Sequence, residues 1–178
     1  GAESALSNPA LITSVEGTEI SFGGTLFMPD INTGFTGSDQ LGPMAPYFDQ
    51  EMLRSDANRN VIPSVSIAHK IDENWYVGIG MFGTAGMGTD YRNAKMAVYP
   101  PSMQIPPVYG NFNMITNLQL MQFAVPIAYK TGGLSLAVTP ILQYGNLDMN
   151  FKLPTATGIE NVGNGLAQDF GFGYSLGV

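Results

Sequence analysis

The sequence predicts an all-β fold: an antiparallel transmembrane β-barrel, of which this chain supplies about six strands and three long extracellular loops. Three observations predict it. Apolar residues alternate with polar or small ones over runs of about 9 to 11 residues, the length of a tilted membrane-crossing strand. No stretch of about 18 apolar residues is present to form a membrane helix. The connections between the alternating runs are by turns short and long, which segregates turns to one rim and loops to the other.

Composition agrees. The chain has 178 residues, about one domain. Only 12% of them are charged and 44% are hydrophobic, the opposite of a disordered chain. Twenty-two glycines and 12 prolines are too many for a helical bundle. The net charge is −7, and the seven Lys and Arg form no stripe, so a nucleic-acid partner is excluded. Cysteine is absent, which removes disulfides, thiolate zinc sites and Cys nucleophiles. No basic and apolar leader opens the chain, so any signal peptide is expected to have been removed.

The strands follow in order. From Thr18 to Met28, Ile20, Phe22, Leu26 and Met28 share one face, and Glu19, Ser21, Gly23 and Thr25 the other. Val61, Pro63, Val65 and Ile67 alternate with Ile62, Ser64, Ser66 and Ala68 over 61–70. Trp75, Val77, Ile79 and Met81 begin a third run over 75–90. A fourth, over 114–130, places Gln119, Met121, Phe123, Val125, Ile127 and Tyr129 together. The fifth, over 134–152, aligns Leu134, Leu136, Val138, Pro140, Leu142 and Tyr144. The sixth, over 169–178, is the clearest: Phe170, Phe172, Tyr174, Leu176 and Val178 against Asp169, Gly171, Gly173, Ser175 and Gly177. No helix presents these sets as one stripe, because its period is 3.6. Lys70–Asn74 and Lys130–Gly133 read as short polar turns, whereas 29–60, 91–113 and 153–168 read as long Gly-, Pro- and Asn-bearing loops.

Asn8-Pro9-Ala10-Leu11-Ile12-Thr13 resembles the motif that follows the N-terminal plug in the FadL family of outer-membrane transporters for long-chain fatty acids and other hydrophobic compounds. Pro63–Tyr91, with its Gly83-Thr84-Ala85-Gly86-Met87-Gly88 stretch, is similar to that family's second and third strands. Leu118–Phe151 and Asp169–Val178 resemble the strands that follow. The resemblance implies a bacterial outer-membrane location, passive uptake of hydrophobic compounds and no enzymatic activity. It implies that residues 1–17 end an N-terminal hatch and 18–178 form part of the barrel. Family barrels have fourteen strands, so the remaining strands are expected from further sequence or another chain. Six strands do not close a membrane barrel.

The same resemblance assigns Asn8, Pro9 and Ala10 as a plug anchor leading into the first strand. It places Gly83, Gly86 and Gly88 at a kink that opens the wall sideways to the bilayer. Apolar capture needs only area, at about 25 cal/mol per Å². The candidate substrate contacts are Phe27, Phe35, Met44, Phe48, Met52, Leu120 and Ile141. The partners expected are long-chain fatty acids, alkanes or aromatics, together with outer-membrane lipid. No cofactor or metal is expected: His69 is the single histidine, and the acidic residues lack EF-hand spacing. Arg54, Arg59, Arg92 and Lys95 read as loop charges. Two other readings stay open. One is a barrel serving as a surface scaffold or adhesin, and the other a soluble β-sandwich binding module.

Overall fold

The structure is a computed structural model that describes residues 1–5, 7–34, 52–98, 108–111, 113–155 and 158–178. Its strands are β1 (Thr18–Phe27), β2 (Asn32–Thr33), β3 (Leu53–Arg54), β4 (Asn60–Lys70), β5 (Trp75–Asp90), β6 (Lys95–Val98), β7 (Val108–Asn111), β8 (Ile115–Ala124), β9 (Ile127–Thr131), β10 (Leu134–Thr155) and β11 (Gly158–Gly177). One antiparallel sheet runs β1-β4-β5-β8-β10-β11, with β9 continuing the line of β8 between β5 and β10. β2–β3 and β6–β7 are small separate hairpins within the first two long connections. Among the described residues no helix is long and apolar enough to cross a membrane.

Register turns the sequence alternation into two faces. One row across the whole wall reads Phe22, Val65, Met81, Phe123, Leu142 and Phe172. The adjacent row, one residue along each strand, reads Gly23, Ser64, Phe82, Gln122, Gln143 and Gly171 on the opposite face. The first face is exposed and greasy: Phe22 is 79% and Phe172 87% accessible. In water an apolar patch of this extent would be a liability, whereas against acyl chains it is the stable solution. Its limits are marked by side chains. Trp75 and Tyr129 pack with their rings tilted at 58°, centroids 4.9 Å apart, near the short-turn rim. Tyr144 and Phe170 pair at 5.2 Å near the other end. Beyond them Gln119, Asn146 and Gln168 form a polar row, with Tyr144 donating to Gln168 Oε1 at 2.9 Å. From Leu134 to Tyr144, at ~3.3 Å rise and a tilt of ~40°, the apolar band is about 25 Å tall.

The opposite, inward face is small near the turn rim, and residues 1–17 fill the space this leaves. Two 3-10 helices, Ala2–Ala5 and Pro9–Ser14, lie there. Ala2, Ala10, Ile12 and Val15 pack against Ala68, Tyr76, Ala128 and Ala137, burying Ile12 completely. Polar links fix the seat. Glu19 accepts from the Ala2 amide at 2.6 Å, and Thr13 Oγ1 meets Ser135 Oγ at 2.9 Å.

Three expectations need correction. The run over 114–130 is not one strand. Pro126 has no N–H, so the ladder breaks between β8 and β9. There Val125 N donates to Pro140 O (3.2 Å) and Pro126 O accepts from Gly78 N (2.8 Å). The fifth and sixth strands are longer than 134–152 and 169–178. The third long loop, 153–168, is therefore mostly strand: β10 and β11 pair up to Thr155↔Gly158. The glycines that read as loop serve a bulge near Met149/Phe151, where Gly163 and Gly165 take φ of 114° and 79°. A Cβ on Gly163 would collide with the Met149 carbonyl oxygen.

Candidate functional site

Among the described residues the ladder between β4 and β5 stops well short of the strands' upper ends. β4 and β5 pair from Lys70↔Tyr76 up to Ser64↔Phe82 and no further. Above that point Asn60–Pro63 pair only with β1, and Gly83–Asp90 pair only with β8. The cause is local to β5. Its register against β8 slips between Gly83 and Ala85, which leaves Thr84 as an extra residue and bends the strand.

The two strands are rejoined higher up. Asp56 N donates to Asp90 O at 2.8 Å, and Asp90 N donates to Ser55 Oγ at 2.9 Å. Ser55 is buried, and its Oγ also accepts from Ala57 N at 3.2 Å. The gap is thus a window, with a backbone ladder as its sill and a serine clasp as its lintel. Ser55→Ala is expected to weaken the clasp by about 1–2 kcal/mol, leaving the Asp90 amide unpaired. Hydrogen exchange at Asp90 should rise while exchange at Ile67 and Ile79, below the sill, stays the same.

Asp90 and Arg92 lie above the polar row of Gln119, Asn146 and Gln168, outside the membrane. Arg92 Nε and Nη2 donate to the Asp90 carboxylate at 2.9 and 2.6 Å. These bonds hold the Asp90 carboxyl below its ordinary value. A depressed carboxyl contributes stability above its unfolded pKa, and that contribution is lost as pH falls through the folded value. The Asp90–Arg92 pair should therefore loosen only in strongly acidic medium, below the usual carboxylate range, read by exchange of the Arg92 amide, which donates to Asp90 Oδ1 at 3.1 Å.

A cavity of about 370 Å³ occupies the window. It is lined from β4 by Asn60, Val61, Ile62 and Pro63, from β5 by Gly83, Ala85 and Gly86, and from β8 by residues 117–121, with Arg59 at its edge. Its lining draws on residues of both faces, inward ones (Ile62, Ala85, Leu118, Leu120) and outward ones (Val61, Pro63, Met121). Glycine is required unequally here. A Cβ at Gly83 would lie 2.6 Å from Ile62 Cγ2, and one at Gly88 3.1 Å from Thr116 O. At Gly86 it would meet nothing within 4 Å. On the inward face beside the window stand Met87, Leu118, Leu120, Leu147 and Met149. Below them Gln122 Nε2 donates to Gln143 Oε1 at 2.9 Å.

The sequence candidates distribute as follows. Gly83, Gly86 and Leu120 line the cavity, whereas Gly88 lies above it on β5. Ile141 packs instead against Ala5, Phe82 and Ala124, where it supports the N-terminal segment. Phe27 pairs with Asn60 at the top of β1, and Met52 is exposed just before β3. Phe35, Met44 and Phe48 lie outside the described residues. Asn8, Pro9 and Ala10 meet the last residues of β11, not the start of β1: Asn8 Nδ2 donates to Val178 O at 3.2 Å. Sequence reasoning missed Ile62, Ala85, Leu118, Asn60 and the Ser55 clasp. Their roles come from a missing pairing, which no local pattern records.

A model of outer membrane transport proteins, described as OMPP1/FadL/TodX, matches residues 1–178. The chain belongs to the FadL/TodX family. It is a family of transport proteins rather than enzymes, and the chain forms part of the wall of a bacterial outer-membrane β-barrel. The toluene transporter TodX of P. putida is 21% identical, with a TM-score of 0.59 over 88% of this chain and 34% of that one. A TodX deletion mutant, titled a monoaromatic hydrocarbon channel, gives 16% and 0.60, covering 86% and 33%. A FadL homologue of Pseudomonas aeruginosa gives 13% and 0.50, covering 98% and 42%. At these identities the likeness is one of fold. The chain spans about a third of the length of the TodX structures. No curated protein matches.

Proposed function

We propose that this wall takes part in passive uptake of hydrophobic small molecules across the outer membrane, with sideways release through the window between β4 and β5. The window is the observation that carries the reading. An unpaired strand edge in a lipid-facing wall is costly, because each bare amide there is worth several kcal/mol. Such a gap persists where its space has a use. Long connections 29–60 and 91–113 would capture the solute outside. Met87, Leu118, Leu120, Leu147 and Met149 would hold it by apolar contact, at about 0.8 kcal/mol per CH₂ buried. Residues 1–17, as the end of a hatch, would bar the direct route to the periplasm and turn the solute toward the wall. Asn8, Pro9 and Ala10 would anchor that hatch on β11.

The solute classes that suit such a route are long-chain fatty acids, alkanes and aromatic hydrocarbons. TodX, a toluene transporter by its title, supports the aromatic end of this range. The test is uptake of radiolabelled toluene, hexadecane and palmitate by cells with and without the protein. Protein-dependent entry of at least one supports the reading. A heat-modifiable barrel that admits none of them would leave the surface-scaffold reading in its place.

A further inference from the structure

We infer that Gln122 and Gln143 form a hydroxyl-recognising subsite on the inward face, so that the wall favours neutral alcohols and phenols over bare hydrocarbons and over carboxylates. The inference rests on the uptake reading and names a substrate class within it. Gln122 and Gln143 are direct partners across β8 and β10, and both face inward. Gln122 Nε2 donates to Gln143 Oε1 at 2.9 Å, and neither side chain has another partner among the described residues. Two amides joined by one such bond leave over one oxygen acceptor and one N–H donor group, whichever way each is turned. Here these are Gln122 Oε1 and Gln143 Nε2. Both residues are half-buried, and neither leftover atom is among the sealed polar atoms that lack a partner, so both stay reachable from the inward side.

The pair sits where the leading end of a solute arrives. Above it on the inward face come Leu120, then Leu118 and Leu147. Below it Ala124 and Ile141 pack against Ala5 and Phe82 and close the way down. On the β11 side Gly171 lies opposite Gln143, and a Cβ there would meet nothing within 4 Å, so the amide is approached freely. An alcohol or phenol supplies both halves of the match: its O–H donates to Gln122 Oε1, and its lone pairs accept from Gln143 Nε2. An alkane supplies neither and leaves both groups desolvated. An ionised carboxylate only accepts, and so meets Gln122 Oε1 oxygen to oxygen. Charge acts in the same sense. Asp169 stands one inward position above Gly171 on β11, diagonal to Gln143 and within side-chain reach. Among the described residues of the main sheet, the cations on this face are Lys70 and Lys130, both at the turn rim. An anion is therefore opposed here, and a neutral hydroxyl is not.

The experiment measures protein-dependent uptake of hexadecane, 1-hexadecanol and palmitate, equal in carbon number, by cells producing the full protein. The wild type should take up the alcohol in preference to both others. Gln122→Leu and Gln143→Leu, similar in volume, should each lower the alcohol-to-alkane ratio about three- to tenfold, the scale of one lost hydrogen bond. Asp169→Asn should raise the acid-to-alcohol ratio severalfold and leave the alcohol-to-alkane ratio alone. Asp169 is exposed, so this variant serves even where a leucine variant fails to fold. Heat-modifiable migration reports folding of each. A cross-strand bond that only braces β8 on β10 would leave the ratios unmoved, all three probes entering or falling together. That result, or a wild-type preference for palmitate over the alcohol, overturns the inference while the uptake reading stands. Protein-independent entry of all three overturns both.

Discussion

Gly86→Leu is expected to abolish most uptake while leaving the barrel folded. Gly86 faces the window, and a Cβ there meets no atom within 4 Å. Gly86 pairs with Gln119 of the outward row, so the larger side chain projects over the outer mouth of the window without displacing backbone. The cavity holds only about 370 Å³, so a branched four-carbon group across its mouth obstructs a substantial part of the sideways route. A drop of about tenfold or more in uptake of whichever solute the wild type carries is the expected scale, one kinetic decade for about 1.4 kcal/mol of added barrier. The neighbouring glycines make poorer probes. Gly83→Val would strike Ile62, and Gly88→Val would press on the Thr116 carbonyl, so both report on folding as well as passage. Undiminished uptake by a folded Gly86→Leu protein would remove the window from the route.

Gly177→Val should release the N-terminal segment from the wall. A Cβ at Gly177 would lie 2.6 Å from Asn8 Oδ1, 2.8 Å from Ala10 N and 2.9 Å from Pro9 Cδ. Two of these belong to groups with no cheap escape. Ala10 N is the donor that Asn8 Oδ1 caps at 3.1 Å, and Pro9 is a rigid ring at the helix start. Overpacking of this kind costs about 1–3 kcal/mol. Loss of the cap adds about 1 kcal/mol. Exchange of the Leu11 amide, bonded to Asn8 O at 3.1 Å, should rise by one to two decades. Gly173→Val supplies the control, since its Cβ points the same way into open space. If both variants protect Leu11 equally, the seat on β11 contributes nothing to holding residues 8–10.

What the sequence made legible was whatever repeats every second residue. Phe170, Phe172, Tyr174 and Leu176 announce a membrane face by themselves, and their partners Tyr144, Leu142, Pro140 and Val138 do the same on β10. The interruption at Pro126 was harder to read, because alternation carries across it unbroken and only the missing N–H gives it away. The stretch 153–168 misled for the converse reason. Gly163 and Gly165 are turn residues by composition, and here they shape a bulge inside a long strand. The window was half legible. Its glycines stand out, yet what defines it is the failure of Asn60–Pro63 to find β5, a fact about two segments some twenty residues apart. Ser55 had no local signal at all, and Arg59 read only as one of several loop charges.

The β4–β5 seam has a mechanical consequence. It is stitched at both ends, by Ser64↔Phe82 below and by Ser55 and Asp56 on Asp90 above. A slit finished at both tips spreads under load and springs back, whereas one left open at an end tears along its length. Solutes of different girth would then be admitted by elastic bowing of β4 away from β5, with the hoop of strands around them staying intact.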